Sequence, residues 1–287
     1  MAPPPSSELP LTERVKQLAQ TLQFAWFVGH LTLLLSVSRY GLSYLTLNYY
    51  SKWAKFSYRL AFVSAAATYG IVVYKAYRAR LRSGTKQGSP LNLISDENVQ
   101  YLLMALVWLY SRQLPLALLP FAVYSIFHVA TYTRTNLIPT FQPPKAGATP
   151  ASPTSPGASR QANASPLANA IGKFVKEYYD ASMMLVAGLE IALWIRVFLS
   201  AVTFSKGSWV LLVVYSAFLR ARYAQSQFHQ GAVAQGAARI DAMVSNQSTP
   251  PAARQGWETT KGLMRQVHDA TDLRRYVGAS QAAKKPQ

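Results

Sequence analysis

Long stretches of this sequence are apolar on every face of a helix. Residues 22–37 and 54–74 carry Leu, Val, Ala and Phe all around the helical wheel. A helix of a soluble bundle keeps a polar face toward water, whereas crossing a bilayer core takes about 20 predominantly apolar residues. The pattern therefore favours membrane-spanning helices over a soluble helical bundle.

Two further pairs of apolar stretches have arms of different length. Residues 99–110 are followed by a polar break and then by 114–132, and residues 183–204 are followed by a break and then by 208–219. A helix over 99–110 would be about 18 Å long, shorter than a hydrocarbon core of roughly 30 Å. We therefore predict an all-α fold, a polytopic membrane protein with helical hairpins of unequal arms and a C-terminal amphipathic helix.

The composition changes along the chain and divides it into regions. Residues 142–170 are rich in Pro, Ser and Ala and contain no aromatic residue, which is typical of a disordered linker. We predict a cytosolic N-terminal segment (residues 1–21) followed by a membrane region with the first hairpins (22–132). A linker with an entry helix (133–182) then leads to a second membrane hairpin region (183–223) and a cytosolic tail (224–287).

Basic residues outnumber acidic ones by 29 to 11, and their positions predict the orientation in the membrane. Most of them lie in four polar zones, at residues 1–21, 75–98, 133–182 and 220–287. Because cytoplasmic loops carry an excess of Lys and Arg, both termini and both long loops are predicted to be cytosolic. Short turns near Lys52, Arg112 and Lys206 would then face the lumen or stop within the bilayer. The basic residues flank apolar segments, so we expect no nucleic acid among the partners.

Residues suited to catalysis or metal binding are scarce. The chain has no cysteine, and its four histidines show no zinc-binding or acyltransferase spacing. No phosphate-binding glycine loop or nucleophile elbow occurs. We predict that the protein is not an enzyme and has no catalytic residue, cofactor or metal site. An enzyme of lipid metabolism is a third alternative that would require a catalytic constellation we do not find.

Glu190 is the one acidic residue inside an apolar segment. A bare carboxylate is costly in a bilayer, so such a residue is usually paired or functional. Arg196 lies six positions on, about 120° around the helix, and is poorly placed to pair with it. Arg59 or Arg112 could serve instead. The residues predicted to be polar and intramembrane are Glu190, Arg196, Arg59 and His128. The alternative function is a small transporter or channel that uses Glu190.

The tail carries an amphipathic pattern at about residues 251–278. Apolar side chains fill about half of the helical wheel, and only Arg274 intrudes among them. Such a helix suits the interface of an anionic, curved membrane, and it also suits a groove on a partner protein. The residues assigned to this membrane-interface helix are Trp257, Leu263, Met264, Val267, Leu273, Val277, Lys261, Arg265, Arg274 and Arg275.

Two blocks of the chain carry a family resemblance. The first runs from Ser-Asp-Glu-Asn at residues 95–98 to His-Val-Ala-Thr-Tyr-Thr at 128–133. The second runs from Leu-Glu-Ile at residues 189–191 through Phe-Ser-Lys-Gly-Ser at 204–208 to Arg-Tyr at 222–223. These blocks resemble the transmembrane protein 33 family, including its fungal branch.

The resemblance implies a location and a role. Members of that family are integral proteins of the endoplasmic reticulum and nuclear envelope, and fungal members help to distribute or assemble nuclear pores. The resemblance implies reticulon-type shaping proteins, nucleoporins and a karyopherin as partners, beside the lipid bilayer. We therefore expect a multi-pass protein of these membranes that organises or shapes them, in tubular reticulum and at nuclear pores, without catalysis.

Overall fold

The computed structural model describes residues 9–83, 95–142, 165–246 and 249–270. Every regular element within these residues is helical, as the apolar pattern predicted. The chain divides into two units, residues 1–230 and 231–287, which are described separately.

The first unit contains eight described helices and the beginning of a ninth. They are α1 (Leu11–Ala19), α2 (Leu22–Leu45), α3 (Lys52–Arg82), α4 (Glu97–Tyr110), α5 (Leu118–Tyr132), α6 (Ile138–Phe141), α7 (Pro166–Val202), α8 (Ser208–Gln225) and the start of α9 (Gln227–Val244). A π-helical turn, Thr133–Leu137, joins α5 to α6. The second unit holds the rest of α9 and α10 (Pro251–Ala270).

Three helical stretches among the described residues are long and apolar enough to cross a membrane. They are Lys52–Arg82, Pro115–Phe141 and Pro166–Val202, and the pair of α1 and α2, bent by 78°, would make a fourth. The partner arms are shorter: α4 has 14 residues and α8 has 18, against 37 in α7. The chain is thus a polytopic all-α membrane protein with hairpins of unequal arms.

Antiparallel packing brings the short connections of the first unit to one end, which we call the turn end (residues 46–51, 111–117 and 203–207). The backbone N–H of Leu114 donates to the Tyr58 hydroxyl at 3.1 Å, which joins the second connection to the first turns of α3. At the opposite end, the loop end, Arg222 near the end of α8 lies 2.9 Å from Glu97 at the start of α4. The helices α2, α3, α4, α5, α7 and α8 of the first unit therefore alternate in direction.

Two connections at the turn end finish a helix in the same way. After α2, Leu47 adopts a left-handed backbone with φ 53°, and after α7, Phe204 does the same. The next residue donates back to the carbonyl five positions before it, from Asn48 to Ser43 and from Ser205 to Ser200. Glycine is the usual residue at this left-handed position. The bulky side chains of Leu47 and Phe204 are therefore held outward, 84% and 80% exposed.

The structure shows helix in two regions where the sequence prediction placed none. Residues 166–170, predicted to belong to the linker, form the first turn of α7, because the Ser165 side chain accepts from the Ala168 N–H and Pro166 occupies the first helical position. The N-terminal segment contains α1, which is strongly amphipathic and buries Arg14 and Leu18. Residues 143–164 of the linker lie outside the described residues.

Aromatic side chains dominate the main core of the first unit. Tyr58, Tyr101, Trp108 and Tyr215 are all at most 1% exposed. The packing is closest between α2 and α3, where a Cβ added at Gly29 would lie 2.5 Å from Thr68 Cγ2. Gly29 therefore allows two long helices to approach each other.

Candidate functional sites: a buried carboxylate and an amphipathic helix

The carboxylate of Glu190 is buried in α7 and bonded through both oxygens. The Tyr101 hydroxyl donates to Oε1 at 2.8 Å, and His229 Nε2 lies 2.6 Å from Oε2. The Glu190 side chain is 2% exposed and that of His229 is 3% exposed. Both carboxylate oxygens are therefore hydrogen-bonded inside the protein, as a buried carboxylate requires.

Three helices meet α7 at Glu190, and each supplies one polar partner. Tyr101 comes from α4 and His229 from the first turn of α9, while the Tyr215 hydroxyl of α8 donates to the Glu190 carbonyl at 3.2 Å. The Tyr124 hydroxyl of α5 lies 3.0 Å from that of Tyr101 and extends the network. The carboxylate is thus a structural junction between hairpins.

A cavity of about 370 Å³ borders this junction at the loop end. Arg222 lines it, pairs with Glu97 and lies with its guanidinium carbon 5.2 Å from the centroid of the Tyr101 ring. His229 also lines it, and its buried Nδ1 has no hydrogen-bond partner among the described residues. The cavity holds no described group of three or more metal-ligating side chains.

The other predicted intramembrane polar residues lie elsewhere. Arg59 donates to the Trp108 carbonyl at 3.4 Å, and Arg196 lines a cavity at the turn end. The His128 ring lies 4.6 Å from that of His30, whose Nδ1 is 2.9 Å from the Ser125 hydroxyl.

The pairing suggested for Glu190 is therefore wrong: neither Arg59 nor Arg112 bonds it. Its partner His229 comes from residues assigned to the cytosolic tail. Ser226 separates α8 from α9, and its hydroxyl accepts from the His229 N–H at 3.4 Å, so the chain turns there and carries the ring back to α7. Sequence reasoning also missed Tyr101, because helical periodicity does not indicate which faces of distant helices meet.

The second unit contains the predicted amphipathic helix, which the structure describes as α10. Leu263, Met264 and Val267 lie on one side of its wheel and are 56%, 56% and 59% exposed. Arg265 lies on the other side and is exposed. The remaining assigned residues, Leu273, Arg274, Arg275 and Val277, lie outside the described residues. An apolar stripe of α10 is thus uncovered within its own unit.

Asp241 fastens α10 to the end of α9. Lys261 Nζ and Trp257 Nε1 both donate to Asp241 Oδ1, at 2.9 Å and 2.6 Å. These hydrogen bonds, first that of Lys261 and then that of Trp257, lower the pKa of Asp241. Lys261 also pairs with Glu258 at 2.8 Å. Lys261 therefore pairs with two carboxylates, while the side chains of the apolar stripe next to it are exposed.

Comparisons with known proteins cover nearly the whole chain. Residues 6–269 match the family model described as Transmembrane protein 33/Nucleoporin POM33. Nucleoporin POM33 of Chaetomium thermophilum is 53% identical over 283 residues, covering 99% of this chain and 98% of the relative. Tetra-spanning protein 1 of Schizosaccharomyces pombe is 33% identical, with 88% and 86% covered. Pore membrane protein of 33 kDa of Saccharomyces cerevisiae is 28% identical, with 98% and 94% covered. No solved structure matches the chain.

Proposed function

Because the chain belongs to the Transmembrane protein 33/Nucleoporin POM33 family, we propose that it organises or shapes the nuclear envelope and the tubular endoplasmic reticulum, in particular at nuclear pores, without catalysis. The single observation that carries this proposal is the 53% identity to a protein named a nucleoporin, over almost the full length of both chains. A second relative is named a pore membrane protein.

The fold offers a physical route to membrane shaping. An α4 of 14 residues is about 21 Å long, shorter than a hydrocarbon core of roughly 30 Å, so this arm occupies one leaflet more than the other. An interfacial α10 would add area to the leaflet that it enters. A difference in area between leaflets favours curved membrane, such as a tubule or the rim of a pore.

The orientation follows from charge. The membrane segments and their short turns together hold seven basic residues, while the four polar zones hold the other 22 of the 29. By the positive-inside rule the loop end and both termini are then cytosolic. Among the described residues three helical stretches, or four with the bent α1 and α2 pair, are long and apolar enough to span, and one relative is named Tetra-spanning protein 1.

The partners in this proposal are nucleoporins, reticulon-type shaping proteins, a karyopherin and the anionic, curved bilayer itself. The exposed stripe of α10 is the surface that would contact the bilayer or a protein groove. It combines an uncovered apolar side with a basic opposite side, which suits anionic lipid headgroups.

A transporter or channel that uses Glu190 is the second candidate. The observation in its favour is a buried carboxylate beside a cavity that holds an unpartnered His229 nitrogen. Against it, both carboxylate oxygens are already bonded to protein groups. The structural role therefore accounts for more of the geometry.

Membrane shaping can be measured with the full chain in liposomes that contain anionic lipid. We expect the mean vesicle diameter to fall as the protein-to-lipid ratio rises. Val267→Asp should weaken the contact of α10 with the bilayer about tenfold, since burying a valine side chain contributes about 1.5 kcal/mol or more. The variant should therefore leave larger vesicles, as measured by electron cryomicroscopy.

Gln266→Asp is the matched control, because it adds the same charge at the adjacent position, which falls on the opposite side of α10. We expect this variant to reduce vesicle diameter as the parent chain does. Equal vesicle sizes with Val267→Asp and with the parent chain would show that the apolar stripe does not act on the membrane.

A further inference from the structure

A second cavity, of about 450 Å³, lies at the turn end of the first unit. The connection after α4 and the connection between α7 and α8 form its walls. It is separate from the Glu190 junction, whose partners lie toward the loop end.

Three cationic side chains line this cavity: Arg112, Arg196 and Lys206. All three are exposed, and none forms an ion pair or a side-chain hydrogen bond with another described residue. The lining contains no carboxylate. Three positive charges therefore surround a space without a negative partner from the protein.

The missing counter-charge cannot come from neighbouring parts of the membrane region. The sequence has no acidic residue between Glu13 and Asp96, between Glu97 and Glu177, or between Glu190 and Asp241. Glu190 itself is bonded to Tyr101 and His229. The cluster therefore has no acidic neighbour in these parts of the sequence, and its positive potential attracts an anion from outside them.

Uncharged donors complete the lining. Ser200, Ser205 and Ser208 line the cavity, with the hydroxyls of Ser200 and Ser208 3.0 Å apart, while the Thr203 hydroxyl donates to the Leu199 carbonyl. Helix α8 begins at Ser208 after Gly207, which has a left-handed φ of 77° and provides no side-chain cap. The first N–H groups of a helix and its dipole favour an anion at that position. A phosphate group suits such a set of guanidinium, ammonium and hydroxyl donors.

The rim of the cavity indicates the source of the phosphate. Tyr110 lines it and is 83% exposed, while Phe204 and Trp209 adjoin lining residues along the chain and are 80% and 52% exposed. Exposed aromatic side chains at the end of membrane helices lie at the level of lipid headgroups. The left-handed backbone of Phe204 holds its ring outward. A phospholipid could thus place its phosphate in the cavity and its acyl chains against the adjoining apolar surface.

We propose that the turn-end cavity binds the phosphate of an anionic phospholipid from the leaflet on that side of the membrane. The binding requires Arg112, Arg196 and Lys206 together. It depends on membrane insertion but not on a role at nuclear pores, so it would hold even if the proposed function failed.

The test uses the full chain in mild non-ionic detergent at constant ionic strength, with added phosphatidic acid or phosphatidylcholine. We expect phosphatidic acid to raise the unfolding temperature by several degrees and to remain bound in native mass spectra, whereas phosphatidylcholine should do neither. The double variant Arg112→Gln with Lys206→Gln should bind phosphatidic acid at least tenfold more weakly. Its unfolding temperature without lipid should stay unchanged, since both side chains are exposed and unpaired.

The double variant Lys52→Gln with Lys55→Gln is the matched control, because it removes two charges at the start of α3 that do not line the cavity. It should bind phosphatidic acid as the parent chain does. Equal losses in the two double variants would show general charge attraction and overturn the proposal. An equal rise in unfolding temperature with inorganic phosphate would assign the site to a soluble anion and would also overturn it.

Discussion

Replacing Glu190 by alanine should lower the free energy of unfolding by about 2–6 kcal/mol, since it leaves two buried polar groups unsatisfied at about 1–3 kcal/mol each. The change leaves the Tyr101 hydroxyl and the His229 ring without their acceptor, inside a region where water is excluded. It also opens a space where α4, α7, α8 and α9 meet. Unfolding of the purified chain in detergent, followed by circular dichroism, measures the effect.

Glu177→Ala is the control, since Glu177 lies in the same helix and is exposed. It should change the free energy of unfolding by less than about 0.5 kcal/mol. Equal stability of Glu190→Ala and the parent chain would contradict a structural role for the carboxylate.

The milder variant Glu190→Gln distinguishes a structural role of this side chain from a role in transport. The amide oxygen can still accept a hydrogen bond from the Tyr101 hydroxyl. We therefore expect the variant protein to be modestly less stable and to keep its localisation. A stable Glu190→Gln protein that has lost a measurable solute flux would favour the transporter instead.

Replacing Gly29 by alanine should lower the free energy of unfolding by up to about 3 kcal/mol, because overpacking forces neighbouring atoms to move. The new Cβ would lie 2.5 Å from Thr68 Cγ2. Thr68 is fully buried in α3 and its hydroxyl donates to the Ala65 carbonyl at 2.9 Å, so the side chain cannot easily rotate away. The helices α2 and α3 would have to separate. The same unfolding experiment in detergent measures this loss.

Two further variants isolate the contact. Gly41→Ala changes the same residue type in the same helix where nothing lies within 4 Å of the added Cβ, and it should leave stability unchanged or raise it by up to about 1 kcal/mol. Thr68→Ser removes the methyl group but keeps the hydroxyl, so it should restore most of the stability lost in Gly29→Ala. If Thr68→Ser does not rescue Gly29→Ala, the close approach of α2 and α3 is not the cause.

The apolar stretches predicted the all-α membrane fold and the unequal hairpins, because helical periodicity and length are properties of neighbouring residues. The same local reasoning predicted the wheel of α10, whose Leu263, Met264 and Val267 are indeed exposed together. It also placed Glu190 in an apolar helix, where a carboxylate needs a partner.

Contacts between distant helices could not be predicted in this way. His229 reaches Glu190 only because α9 starts with a turn at Ser226, and Tyr101 meets it only through the register of α4 against α7. The cationic cavity brings Arg112 together with Arg196 and Lys206, which lie 84 and 94 residues further along the chain. The sequence shows each of these residues but not the packing that joins them.

A role at nuclear pores and reticulum tubules can be tested by imaging the tagged full chain in cells together with markers for both structures. We expect the full chain to be enriched at pores and tubules, and a chain without residues 248–287 to remain in the membrane but to lose enrichment at pores. An even distribution of the full chain through reticulum and nuclear envelope, with no enrichment at either marker, would contradict this role.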